Sequence, residues 1–352
     1  MTADPSVFRY LSRDDVKRAL ATIDPVEVIT ETLRLHSEDR VGLGEEAYLP
    51  WLTPNGFANT SLAMQGAVDF DDGYVVGVET VNESPGNPAL DLPRAQGLTI
   101  LLDRETARPR AVMETAYLRA LRAATVTAIA ARTLGAPGMT TMGFLGCGTQ
   151  AKAHLTVLAE TVPTLTDVRL FDIDPVRANR FREQAAVRHP GMDFHVVPTA
   201  RDCVTGADLV VTMTTVTDGY LAWDWLSPGT LVSCVSLDDL LPEVVQRCDL
   251  LVLDDWDLVS VDHRRLLGRM YRTGDLLSPI GLVDDHAGGP STSARKVDTT
   301  LGEIVTGVHQ GRCTDADIVV CNAFGMAALD IAVAHRVASA AERTGLGRLL
   351  RL

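Results

Sequence analysis

Residues 142–151 constrain the fold more than any other stretch of this 352-residue chain. A short apolar run over 142–145 meets Gly146-Cys147-Gly148-Thr149-Gln150-Ala151, and helix formers continue to Leu158. Strand, tight turn and helix in that order, with G-x-G-x-x-A across the turn, are what a dinucleotide-binding βαβ unit needs. The small residues have separate tasks: Gly146 permits the turn, Gly148 lets a pyrophosphate approach the backbone, and Ala151 permits close packing of helix on strand. The phosphates then meet helix N–H groups and the positive end of the helix dipole.

Helix and strand signals alternate from about Met139 onward, which predicts a parallel α/β sheet. Short apolar or β-branched runs at 168–171, 194–197, 208–212, 231–235 and 250–253 are expected to be five further parallel strands. Asp172 follows the first of them, 24 residues after Gly148. An acid near that distance receives the adenosine ribose hydroxyls, and its charge repels a 2′-phosphate, so the expected cofactor is NAD rather than NADP. Asp174 is the competing position for that role. Thr214 and Thr215, after the 208–212 run, are further candidate cofactor contacts.

The flanking segments read differently. Residues 119–134 carry Ala, Thr and Val at helical spacing without Gly or Pro, which predicts a buried helix leading into the α/β block. Upstream, an amphipathic helix near 14–35 and strands at 75–81 and 97–102, separated by Ser84-Pro85-Gly86-Asn87-Pro88, predict an α+β segment. The Ala-rich tail from Ile318 reads as helix with no strand partner, packing back on the N-terminal part. The expected organisation is a discontinuous domain of 1–130 with 308–352, and a dinucleotide-binding domain of 131–307, in keeping with domains of roughly 100 to 200 residues.

A formal net charge of −14 argues against nucleic acid or an anionic membrane surface as partner. No secretory h-region occurs in the first thirty residues, and no run of about eighteen uncharged apolar residues occurs anywhere. A cytoplasmic protein is expected. Cys147, Cys203, Cys234, Cys248, Cys313 and Cys321 form no C-x-x-C pair and are expected to be buried thiols. The eight histidines show no ligand spacing, so no metal is expected.

Several of these segments together resemble the ornithine cyclodeaminase and μ-crystallin family. They are Gly143-Phe144-Leu145-Gly146-Cys147-Gly148-Thr149-Gln150-Ala151, Leu121-Arg122-Ala123-Ala124-Thr125, the Ser84 to Pro88 turn, and Asn322-Ala323-Phe324-Gly325-Met326. Residues 94–114, 215–226, 254–256 and 301–307 point to its 2,3-diaminopropionate-forming branch. The resemblance implies a Rossmann domain plus an α+β substrate domain through which the chain forms homodimers. It also implies an NAD-dependent amino acid dehydrogenase that oxidises an N-substituted amino acid and hydrolyses the resulting imine. The products would be 2,3-diaminopropionate and 2-oxoglutarate, for siderophore or peptide natural-product biosynthesis. Imine reduction, amino acid cyclodeamination, and dinucleotide and small-ligand binding without turnover stand as alternatives.

The resemblance further implies that Arg122 holds a substrate carboxylate and that the acid of Ser236-Leu237-Asp238-Asp239 is catalytic, Asp239 ahead of Asp238. Two departures bear on substrate binding. Gly77-Val78-Glu79 stands where the family has glycine, valine and lysine, and the upstream cation is missing from Gly44-Glu45-Glu46-Ala47-Tyr48-Leu49. Glu79 against a substrate carboxylate in a poorly solvated site must be protonated, turned away or facing a cation. Arg94 is the candidate partner for a structural pair, and both residues are candidate substrate contacts.

Overall fold

A computed structural model describes residues 6–352, and the chain divides into two compact units. One runs to Arg122 and resumes at Met326; the other is Ala123–Gly325. The first contains β1 (Val7–Leu11), α1 (Arg13–Leu20), α2 (Pro25–Ser37), β2 (Val41–Leu43), β3 (Ala47–Leu52), β4 (Ala58–Phe70), β5 (Gly73–Glu83), β6 (Ala95–Leu102), β7 (Pro109–Glu114) and the start of α3 (Ala116–Leu134). The second begins with β8 (Thr141–Leu145), α4 (Thr149–Thr161), β9 (Asp167–Phe171), α5 (Pro175–Arg188), β10 (Asp193–Val196), α6 (Ala200–Val204), β11 (Leu209–Thr212) and β12 (Leu231–Cys234). It continues with α7 (Pro242–Arg247), β13 (Leu250–Leu253), α8 (Trp256–Val261), α9 (Leu266–Arg272), β14 (Leu276–Leu277), β15 (Arg295–Lys296), β16 (Thr299–Thr300), α10 (Leu301–Thr306) and β17 (Val319–Asn322). The chain then returns to the first unit with α11 (Ala327–Thr344) and β18 (Arg348–Arg351).

The second unit is built on a parallel sheet of order β10-β9-β8-β11-β12-β17-β13-β16. β11, β12, β13 and β17 are buried along their whole length. That is why they read as unbroken apolar runs: helices cover both faces of such a sheet. The chain leaves β8 for β9 and β10 on one side and for β11 and β12 on the other, a Rossmann-type arrangement. The order therefore reverses between β8 and β11, and ligands of open α/β sheets bind at such a point, beyond the carboxyl ends of the strands.

β17 corrects the reading of the tail. Val319–Asn322 pairs in parallel with both β12 and β13 and is fully buried, so the stretch before α11 belongs to the second unit. The division at Arg122, inside α3, also lies earlier than expected. Residues just beyond it face second-unit groups: the Thr127 hydroxyl shares hydrogen bonds with His154 Nε2 (3.2 Å) and Ser233 Oγ (2.8 Å).

In the first unit the sheet order is β18-β1-β7-β6-β5-β4-β2, with β3 also pairing β4. α11 packs on β4 and β5, and two strand glycines let it approach. A Cβ on Gly66 would stand 2.7 Å from the Ala328 nitrogen, and one on Gly77 2.6 Å from Ile331 Cδ1. The single helix expected near 14–35 is two helices. Asp24 caps α2 by accepting from the Val26 N–H (2.8 Å), and Pro25, which has no N–H to give, occupies the first turn. Among the described residues no helix is long and apolar enough to cross a membrane.

Candidate active site

The glycine loop follows β8. Gly146 has φ +99°, a conformation other residues avoid, and a Cβ there would sit 2.5 Å from the Met213 carbonyl oxygen. Its N–H donates to the Phe171 carbonyl (2.8 Å), and the Cys147 N–H donates to Asp172 Oδ2 (2.9 Å). Gly148 is the N-cap of the thirteen-residue α4, provides no side-chain cap, and has open space where a Cβ would point. The first-turn N–H groups there lack the partners that a Ser or Asp cap supplies elsewhere. Thr149 is exposed, Ala151 is fully buried, and the buried Gln150 Oε1 has no hydrogen-bond partner among the described residues. An uncapped helix start beside an orphaned polar atom, at the reversal point of the sheet, suits a pyrophosphate.

Asp172 is almost wholly buried and already engaged. Besides Cys147 it accepts from the Asp174 N–H (2.9 Å), and Arg177 lies 3.6 Å away. Asp174, the competing position, caps α5 through the N–H of Val176 and of Arg177.

Thr214, after β11, and Asp239, after β12, come together. The fully buried Asp239 accepts at Oδ1 from the hydroxyls of Thr214 (2.5 Å) and Tyr220 (3.1 Å), and at Oδ2 from Ser236. Ser236 Oγ in turn accepts from the Thr214 N–H (3.1 Å). Burial, then the Asp239 carboxylate, raises the Tyr220 phenol, so it stays a donor. Thr215 is exposed. Asp238 is used differently: it accepts from the Leu266 N–H (2.9 Å) at the start of α9 and pairs with Arg265 (2.8 Å) and Arg269 (3.2 Å). That is a helix-capping arrangement.

In the first unit, four charged groups cluster, three of them buried and Arg119 partly exposed. Arg122 reaches α11 with a two-pronged grip on Asp330, Nε to Oδ1 at 3.0 Å and Nη2 to Oδ2 at 2.7 Å. Arg119, one turn earlier on α3, lies 3.4 Å from Glu79 Oε2, and the Thr115 hydroxyl donates to Oε1 (2.9 Å). Glu79 therefore faces a cation, but the cation is Arg119, not Arg94. The β5–β6 register sets Glu79 opposite Thr99 and Glu83 opposite Ala95, so neighbouring Arg94 reaches Glu83 (3.7 Å) in an exposed pair. Sequence reading missed Arg119, Thr115, Tyr220, Ser236 and Asp330. Asp330 did leave a signal: it is the one charged residue in the buried run Ala327–Ala334.

Burial, reinforced by Asp330, pushes Glu79 from the ordinary 4.5 up to about 7, while Arg119 and Arg122 pull the other way. A carboxyl raised on folding adds stability below its unfolded value, and that stability is lost as pH rises through the folded one. Glu79→Gln removes this dependence. Chemical denaturation is expected to show the variant gaining about 2–3 kcal/mol on wild type between pH 5 and pH 8. A constant difference across that range would contradict the burial argument.

Five cysteines are buried thiols, but Cys313 is exposed, since it lies in the loop ahead of β17. Among the described residues no group of His, Cys, Asp and Glu is arranged to hold a metal ion.

Residues 58–345 match the ornithine cyclodeaminase/mu-crystallin family. The chain is 27% identical to the N-((2S)-2-amino-2-carboxyethyl)-L-glutamate dehydrogenase of Staphylococcus aureus, covering 97% of this chain and 98% of that one. It is 28% identical to the alanine dehydrogenase of Archaeoglobus fulgidus over 93% of each. The crystal structure of CmnK superimposes with a TM-score of 0.88 at 37% identity, covering 99% of both chains. The chain belongs to the ornithine cyclodeaminase/mu-crystallin family.

Proposed function

We propose that this chain is an NAD-dependent dehydrogenase of an N-substituted amino acid, acting on N-(2-amino-2-carboxyethyl)-L-glutamate or a close analogue in siderophore or peptide natural-product biosynthesis. The products are 2,3-diaminopropionate and 2-oxoglutarate. The observation that carries the reading is the uncapped start of α4 at the sheet reversal, in a chain that aligns end to end with a secondary-amine dehydrogenase. NAD, when bound, supplies the hydride acceptor.

The protein residues do the rest. Gly146, Gly148, Thr149, Gln150 and Ala151 hold the pyrophosphate, with Thr214 and Thr215 alongside. Asp172 fixes the glycine loop through Cys147 and presents an acid to the ribose, which favours NAD over NADP. Arg122, held in one plane by Asp330, fixes a substrate carboxylate. Only a neutral amine can expel hydride, so a base must take the nitrogen proton. Asp239 is that base, and because it is fully buried the proton reaches it through the Thr214 hydroxyl. Water then attacks the imine carbon, and collapse releases the amine and the 2-oxo acid.

Incubation with NAD and a panel of amino acids, imines and N-carboxyalkyl amino acids tests this. Net growth of NADH with the secondary amine, and weaker use of NADP, is the expected result. Ammonia release without NADH would establish a cyclodeaminase instead, and tight NADH binding with no turnover a binding protein.

The assembly proposed is a homodimer. Tyr48, Leu49, Trp51 and Leu52 on β3, and nearby Phe57, form an exposed apolar strip of the kind that marks an interface. Sedimentation is expected to give twice the chain mass; a monomer at micromolar concentration would contradict it.

A further inference from the structure

Of the four clustered charges in the first unit, Arg119 is the most exposed. The Arg119 side chain is 27% exposed, against 6% for Arg122, 1% for Asp330 and none for Glu79. Asp330 matches Arg122 with two short hydrogen bonds, a geometry that fully uses both carboxylate oxygens. Glu79 meets Arg119 at a looser 3.4 Å through one oxygen, with its other oxygen on Thr115. The second pair is the looser of the two, and its cation is the more exposed.

We propose that Arg119 docks a carboxylate of the amino-acid-derived guest, and that Glu79 yields Arg119 to it by taking a proton from solvent, so that each guest molecule binds together with one proton. The inference rests on the reading of the guest given above. The groups facing Glu79 are consistent with the exchange. Arg119, Arg122 and Thr115 face it from α3 and its leading residue, Asp330 from α11, Met64 from β4, and Thr99 from β6 through Thr115. With Glu79 ionised, two cations balance two carboxylates. With Glu79 protonated, the cluster keeps one positive charge for the guest. A protonated Glu79 keeps its hydrogen bond from Thr115 at Oε1. The already raised affinity of Glu79 for protons makes this exchange accessible near neutrality.

Calorimetric titration of the protein with 2,3-diaminopropionate, 2-oxoglutarate and the N-carboxyalkyl amino acid panel, in two buffers of different ionisation enthalpy at pH 8, reads the proton directly. Wild type is expected to take up close to one proton per ligand. Glu79→Gln is expected to take up none and to bind more tightly at pH 8. Arg119→Ala alone would strand Glu79 as a buried charge, so the decisive comparison is Arg119→Ala/Glu79→Gln against Glu79→Gln. Loss of the guanidinium is expected to weaken binding on the order of 10- to 100-fold in that pair. Equal affinities in the two variants, or binding by wild type without proton uptake, would overturn this inference and leave the proposed reaction standing. Binding of none of these carboxylates by wild type would overturn both.

Discussion

Asp239→Asn is expected to lower turnover on the order of 100- to 10,000-fold, the usual range for loss of a general base, with NADH affinity unchanged. The carboxylate accepts from the Thr214, Tyr220 and Ser236 hydroxyls alike. An amide can still accept from Thr214 and Tyr220 at its oxygen. Ser236 can turn its hydroxyl to Thr212, 3.1 Å away, and accept from the new amide. The variant should therefore fold, and melting close to wild type is the control. Asp238→Asn provides the contrast. Its losses are the α9 cap and the pairing with Arg265 and Arg269, so it is expected to lower stability by about 1–2 kcal/mol and leave the rate per folded molecule intact. If the two variants exchange phenotypes, Asp238 is the base and the Asp239 network is structural.

Arg122→Ala is expected to destabilise the protein by about 3–5 kcal/mol, because Asp330 is then a buried carboxylate without its partner. The double variant Arg122→Met/Asp330→Leu removes both charges and fills the space with apolar atoms, and it is expected to recover most of that stability. Activity separates the roles. If Arg122 holds a substrate carboxylate, the stable double variant remains impaired in KM. If the pair only joins α3 to α11, the double variant regains wild-type KM, and Arg122 must be removed from the substrate site. Equilibrium unfolding and steady-state kinetics on the same preparations give both answers.

What could be read in advance followed from local chemistry. The 142–151 segment carries its strand, positive-φ glycine and helix start within ten residues, so its conformation is written in adjacent side chains. The buried parallel strands announced themselves as short apolar runs between turn residues. β17 did not, because Val319–Asn322 stands directly before an Ala-rich helix. Its partners β12 and β13 lie far upstream, and only sheet pairing turns that stretch into a strand.

The site divides in the same way. The glycines and Asp172 could be placed from spacing along one βαβ unit. Arg122 and Asp330 are 208 positions apart, and their pairing is a consequence of α11 packing into the sheet over Gly66 and Gly77. Arg94 was the nearer-looking partner for Glu79, yet strand register carries it to Glu83. Local pattern fixes which residues an element presents; which charge meets which is decided by packing.

The most direct test of the account uses substrate carrying deuterium at the α-carbon of its glutamate portion. Oxidation by the proposed route is expected to place that deuterium in the reduced NAD, in one-to-one yield with 2,3-diaminopropionate, and to slow turnover where C–H cleavage limits it. Diaminopropionate formed with unlabelled reduced NAD, or deuterium recovered in released glutamate, would contradict hydride transfer from that carbon.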